Sequence, residues 1–187
     1  MTPHRAATRP HRTTMRDRAI AFLERKRVPL GFVTTIVALV LARPTWTTWR
    51  AGLLVAVVGE GIRVWAAGHL EKGREVTSSG PYRWMGHPLY VGSSILALGV
   101  VIAAWSVPLA ILAAIYMGTT ITAAIRTEEA FLRRTFGDTY DRYQQSRNEP
   151  SSRRFSQARV MRNREYRAVV GLAVGFALLA LKVMVPI

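Results

Sequence analysis

Two polar stretches carry side chains that a mostly apolar chain does not need for solubility alone. The first, Glu71 to Gly92, reads EKGREVTSSGPYRWMGHPLYVG. Gly80-Pro81 is a turn signal, and Pro88 suits the first turn of a following helix, where its missing N–H costs nothing. His87 then falls at the N-cap, with Tyr90 and Gly92 in or near the first turn. The free N–H groups and positive dipole end of such a terminus accept a carboxylate. The same residues also make a plain helix start with an interfacial His and Tyr. The second stretch, Arg126 to Tyr143, reads RTEEAFLRRTFGDTYDRY and puts Glu128 and Glu129 on adjacent faces of one helix. A carboxylate there can accept paired hydrogen bonds from ribose hydroxyls or hold an arginine. The alternative is a solvated amphipathic helix with Phe131, Leu132 and Phe136 turned from water. Glu60 and Arg63, spaced i to i+3, pair on one helix face, either as a structural ion pair or as a substrate contact.

Other chemistries lack their residues. The chain has no cysteine, which removes disulfides, thiolate metal sites and cysteine nucleophiles. His69 and His87 lack the local carboxylate and histidine spacing of a zinc helix, and His4 and His11 lie in a basic arm, so no metal site is expected. There is no GxSxG, phosphate-binding lysine loop or dinucleotide fingerprint.

The elements that position these stretches follow from composition. Of 187 residues half are apolar, yet 26 basic side chains face 11 acidic ones for a net charge of +15. Mean hydropathy is nevertheless positive, +0.14, so the two properties are segregated along the chain. Residues 1–27 form a basic arm, and 28–187 a membrane domain with five apolar stretches at 28–42, 51–68, 89–105, 107–125 and 168–187. Continuous apolar segments read as helices, because lipid leaves no other single-segment way to satisfy the backbone. The fourth span runs without a break into the glutamate pair, and residues 148–159 read as an irregular linker. The arm holds eight basic residues, the 69–88 loop has Lys72, Arg74 and Arg83, and 126–167 has eleven arginines, against Arg43, Arg50 and Lys182 on the other side. Cytoplasmic loops hold the excess of Lys and Arg, so the N-terminus and both polar loops are expected in the cytoplasm. A nucleic-acid partner is not expected, since the arginines follow span boundaries rather than forming an aromatic-interleaved patch.

In this order, flanking a helical hairpin, the two loops resemble the integral-membrane methyltransferases of the isoprenylcysteine carboxyl methyltransferase and phospholipid methyltransferase superfamily. Gly80-Pro81-Tyr82-Arg83-Trp84-Met85-Gly86-His87-Pro88-Leu89-Tyr90-Val91-Gly92 is similar to that family's GPY followed by RHPxYxG. Glu128-Glu129, Leu132, Phe136-Gly137, Tyr140 and Tyr143 are similar to its EExxLxxxFGxxYxxY. Arg63 to Leu70 fits the approach to the first element in bacterial members, and Asn163-Arg164-Glu165-Tyr166 matches less distinctly. The resemblance implies an all-α polytopic bundle of about five transmembrane helices with a cytoplasmic pocket for S-adenosylmethionine. It implies methyl transfer to a lipid-borne or isoprenoid acceptor, most like the isoprenylcysteine carboxyl O-methyltransferases, in a bacterial inner membrane. By the same resemblance His87, Pro88, Tyr90 and Gly92 hold the methionine end of the cofactor, Gly80, Pro81 and Tyr82 shape the loop over it, and Glu128 or Glu129 contacts its ribose or amino group. Arg83 or Arg126 would orient a carboxylate acceptor, and Glu129 would take the proton of an amine. Gly86 stands where the family has Arg, so that contact must come from elsewhere, for instance Arg83. A membrane scaffold with a basic face and a sterol-reductase-like oxidoreductase are the rival readings.

Overall fold

The computed structural model describes residue 33, residues 36–145 and residues 152–185. The basic arm, part of the first predicted span, the start of the predicted linker and the last two residues lie outside them. Among the described residues every regular element is a helix. Residues 36–41 are helical, followed by α1 (Trp46–His69), a 3₁₀ turn (Gly80–Arg83), α2 (Pro88–Ala104), α3 (Val107–Phe136), α4 (Asp138–Gln144), α5 (Gln157–Arg162) and α6 (Tyr166–Met184).

α1 begins five residues before the apolar run that predicted it. Thr45 and Thr48 form a capping box, and Trp49 Nε1 donates to the Phe176 carbonyl at 2.9 Å, so polar caps and aromatic anchoring extend the helix. α2 starts with His87 at the N-cap and Pro88 in the first turn, as the sequence predicts. It stops where Trp105 adopts a left-handed conformation (φ 47°), which turns the chain directly into α3. At 30 residues, α3 is about 45 Å long against a hydrocarbon core of about 30 Å. Its polar last turns, with Glu128 and Glu129, therefore extend past the apolar part.

α1 and α2 pack along their length through small residues at seven-residue spacing, Gly52 and Gly59 against Gly92 and Gly99. A Cβ on Gly92 would fall 2.7 Å from the Gly59 carbonyl oxygen, and one on Gly99 2.5 Å from the Ala56 nitrogen. Close backbone approach substitutes here for the hydrophobic drive that lipid does not supply. Ala56, Ala103, Leu109, Phe176 and Leu179 form the core where α6 joins. At that end the Arg43 amide bonds the Ala104 carbonyl at 2.7 Å and Lys182 Nζ donates to Leu39 and Val40 carbonyls. Leu70, His87, Glu128 and Glu165 gather at the other.

α1, α3 and α6 are long and apolar enough to cross a membrane, while α2 is shorter at 17 residues. Their outer faces carry exposed aliphatics such as Leu54, Val58, Ile115 and Val174, which only a lipid environment solvates favourably. The protein is a membrane protein. The linker prediction is corrected at its end: α5 begins at Gln157. The Ser156 amide bonds the Gly68 carbonyl and Arg159 Nε donates to the same oxygen at 2.7 Å, so the end of α1 nucleates a turn that composition alone reads as loop.

Candidate functional site

The first loop is built on the end of α1. Gly80 sits at φ +57°, and a Cβ there would lie 2.5 Å from Cδ2 of His69. The turn therefore needs glycine twice over, for conformation and for clearance. His69 Nδ1 is 3.1 Å from Ser79 Oγ, which fixes the loop from beneath. Pro81 and Tyr82 are buried in the turn. The Tyr143 hydroxyl donates to the Tyr82 carbonyl at 2.8 Å and so joins the second polar stretch to the first.

His87 joins them again. Its Nε2 lies 3.4 Å from Glu129 Oε1 and its Nδ1 3.7 Å from Glu128 Oε2, while its ring stands 5.8 Å from that of Tyr90. One imidazole at the start of α2 thus faces both glutamates near the end of α3. The adjacent Glu128 carboxylate raises the His87 pKa above its ordinary value, against burial, and Glu129 adds to the rise. Burial pushes the Tyr143 phenol up to about 12 and raises Tyr82 and Tyr140 as well. All three phenols are neutral hydrogen-bonding groups at physiological pH.

Between the loops lies a cavity of about 830 Å³, lined among others by Arg63, Tyr82, His87, Tyr90, Glu128 and Glu165. A second, of about 500 Å³, shares Tyr82, His87, Tyr140 and Tyr143 with it and is lined also by Arg83 and Glu129. The predicted residues therefore divide. Pro88, His87, Tyr90 and Glu128 face the larger space, Glu129 and Arg83 the smaller. Gly80 and Pro81 support the turn behind them. Gly92 packs against α1 instead of lining either cavity, and Arg126 is exposed and lines neither. Gly86 borders both, and a Cβ there meets nothing within 4 Å; Arg83 is the guanidinium that shares the smaller cavity with it.

Three further contributions come from outside the two polar loops. Arg63 pairs with Glu60 at 3.3 Å, as its spacing predicts, but its guanidinium also binds Glu165 and Ser93 Oγ. Glu165, buried at the start of α6, thereby lines the cavity. Asn163 lines it too, with Nδ2 donating to the Ala67 and Leu70 carbonyls at 2.9 and 3.1 Å. At the rim, Glu71 is held by Arg162 at 2.7 Å and Arg159 at 3.7 Å, and Glu75 by Arg153 at 2.5 Å. The only sequence sign of these partners was the Asn163-to-Tyr166 element; the ion pairs span from 78 to 102 residues and leave no local signal. Among the described residues no three His, Cys, Asp or Glu side chains are arranged to hold a metal ion.

A membrane-embedded helical bundle with a polar, carboxylate-bearing cavity at one end is the class that fold and site define. Residues 60–139 match the family model of the phospholipid methyltransferases, which bears out the resemblance over the first polar loop, the hairpin and the second loop as far as Thr139. The chain is also 30% identical over 135 residues to the nickel-cobalt-cadmium resistance protein NccN of Alcaligenes xylosoxydans xylosoxydans, an alignment covering 66% of this chain and 63% of that protein. The matched part is thus just under two thirds of that relative's length. No solved structure matches the chain. Asn163 and Glu165 lie beyond the family-matched segment.

Proposed function

We propose that the protein is an S-adenosylmethionine-dependent methyltransferase acting on a lipid-borne or isoprenoid acceptor at the cytoplasmic face of a bacterial inner membrane. The observation that carries this reading is His87 set between Glu128 and Glu129, which makes one site of the two loops that resemble the family. The cavity fits the cofactor in size and chemistry. Its volume of about 830 Å³ lies within the usual range for small-molecule sites, and its wall combines carboxylates and phenols with apolar Val76, Leu89 and Phe131.

Bound there, the sulfonium supplies an already activated methyl group, so no protein nucleophile is required. The protein's part is to bind, align and exclude water. Glu128 accepts hydrogen bonds from paired hydroxyls, and the start of α2, which has no side-chain cap, receives a carboxylate. His87 holds both glutamates in place. Arg83, the cavity-lining one of the two candidate arginines, orients an acidic acceptor. For an amine acceptor Glu129 takes the proton released as the nitrogen–carbon bond forms. The positive-inside asymmetry of the loops supports the cytoplasmic placement.

Isothermal titration of the detergent-solubilised protein with S-adenosylmethionine tests the reading. Saturable binding supports it, and absence of binding by well-folded protein overturns it. Labelled methyl transfer into a total lipid extract, with mass spectrometry of the product, then identifies the acceptor. His87→Ala and Glu129→Gln are expected to abolish transfer while membrane expression persists; wild-type rates in both would remove these residues from the site.

A further inference from the structure

The segment that leads into α6 presents a second charged feature, on the outside of the cavity rim. From 152 to 167 the sole acidic residue is Glu165, which is buried and held by Arg63. Arg154, Arg164 and Arg167 are exposed and form no ion pair with any described residue. Interleaved with them are the exposed apolar side chains Phe155, Met161 and Tyr166. This mixture of guanidinium groups and apolar surface sits at the start of a helix long and apolar enough to cross a membrane, the height at which lipid head groups lie.

Arg164 adds an independent observation. It occupies a left-handed backbone conformation, φ 60°, at the turn between α5 and α6. Glycine or asparagine adopts that conformation with less strain. An arginine holds that conformation with its side chain exposed and without an ion pair to any described residue.

We propose that Arg154, Arg164 and Arg167, with Met161 and Tyr166, form a docking surface for the head groups of anionic phospholipids. The guanidinium groups pair with lipid phosphates while Met161 and Tyr166 enter the adjoining apolar boundary. The other face of the same segment grips the cavity rim through Arg153, Arg159 and Arg162 on Glu75 and Glu71. Lipid held on the outside therefore fixes the rim's height on the bilayer. The proposal stands independently of the methyltransferase reading.

The test uses the full chain in bilayers of phosphatidylcholine containing phosphatidylglycerol, with spin-labelled lipids reporting the association of each species with the protein. Wild type is expected to enrich phosphatidylglycerol over phosphatidylcholine several-fold, and salt is expected to reduce the enrichment. Each arginine removed is expected to lower association by about fivefold at most, the equivalent of about 1 kcal/mol per charge near an anionic surface. Arg164→Gly is the decisive single variant, because glycine suits the backbone there and the fold is expected to be kept or gain stability while enrichment falls. The triple change R154Q/R164Q/R167Q is expected to remove most of the enrichment, and R126Q/R134Q/R142Q, which deletes the same charge from exposed positions on α3 and α4, to leave most of it. Equal association of the two lipids with wild type, no loss in Arg164→Gly, or equal losses in the two triple variants would overturn the proposal.

Discussion

Replacing Arg63 with methionine tests the architecture of the site most severely. The Arg63 guanidinium serves Glu60, Glu165 and Ser93 at once. Both glutamates have side chains only 8% exposed, and Arg63 itself is 21% exposed. Methionine fills much of the same volume but leaves two buried carboxylates without their cation. Breaking one buried pair by removing a partner costs about 3–5 kcal/mol, and two orphaned carboxylates put Arg63→Met at the upper part of that range, a large share of a total stability of about 5–15 kcal/mol. Glu165→Gln is milder, because Arg63 keeps Glu60 and the amide still accepts a hydrogen bond; the expected loss is about 1–2 kcal/mol. The double variant R63M/E165Q is then expected to be less destabilised than the sum of the singles, with a coupling of about 1–3 kcal/mol. Denaturant unfolding in mixed micelles, followed by circular dichroism, measures all three. An Arg63→Met loss below about 1 kcal/mol, or strict additivity in the cycle, would refute the claim that this guanidinium joins α6 to α1.

Three further outcomes follow from other parts of the site. Because the folded-state pKa of His87 is raised, its pairing with the glutamates contributes fully below the unfolded value of about 6.5. It is lost as pH rises through the folded value, so thermal stability should fall across that window in wild type and stay flat there in His87→Gln, with imidazole NMR shifts reporting the titration. Tyr143→Phe removes the 2.8 Å hydrogen bond to the Tyr82 carbonyl and is expected to cost about 1–3 kcal/mol in the same unfolding assay; an unchanged midpoint would show that the turn does not depend on α4. Gly99→Leu places side-chain atoms where a Cβ alone would lie 2.5 Å from the Ala56 nitrogen, and is expected to cost at least about 1–3 kcal/mol. Gly175→Leu, where a Cβ meets nothing within 4 Å, is the matched control and should stay within about 0.5 kcal/mol.

The parts legible in the sequence were those encoded by neighbouring residues. Apolar runs locate α1, α2, α3 and α6, because a helix in lipid satisfies its own backbone and needs only a continuous apolar segment. Pro88 fixed the start of α2 and His87 at its cap through the local chemistry of a helix terminus. The i to i+3 spacing of Glu60 and Arg63 was enough to pair them. The two polar loops could be matched to a family because each is a contiguous pattern.

Tertiary structure decided which of those residues meet. Gly92 and His87 are five positions apart, yet the rotation of α2 against the glycines of α1 buries one in a helix contact and turns the other into the cavity. Adjacent glutamates were separated in the same way: about 100° of helical rotation between Glu128 and Glu129 sends them to different cavities. Arg126, two residues earlier, is left outside. Glu165 and Asn163 reach the site only because α6 folds back beside α1, bringing Glu165 to an arginine more than a hundred positions away. Contacts of that kind depend on how helices cross, which is set by the summed shapes of several faces and by no single stretch of chain.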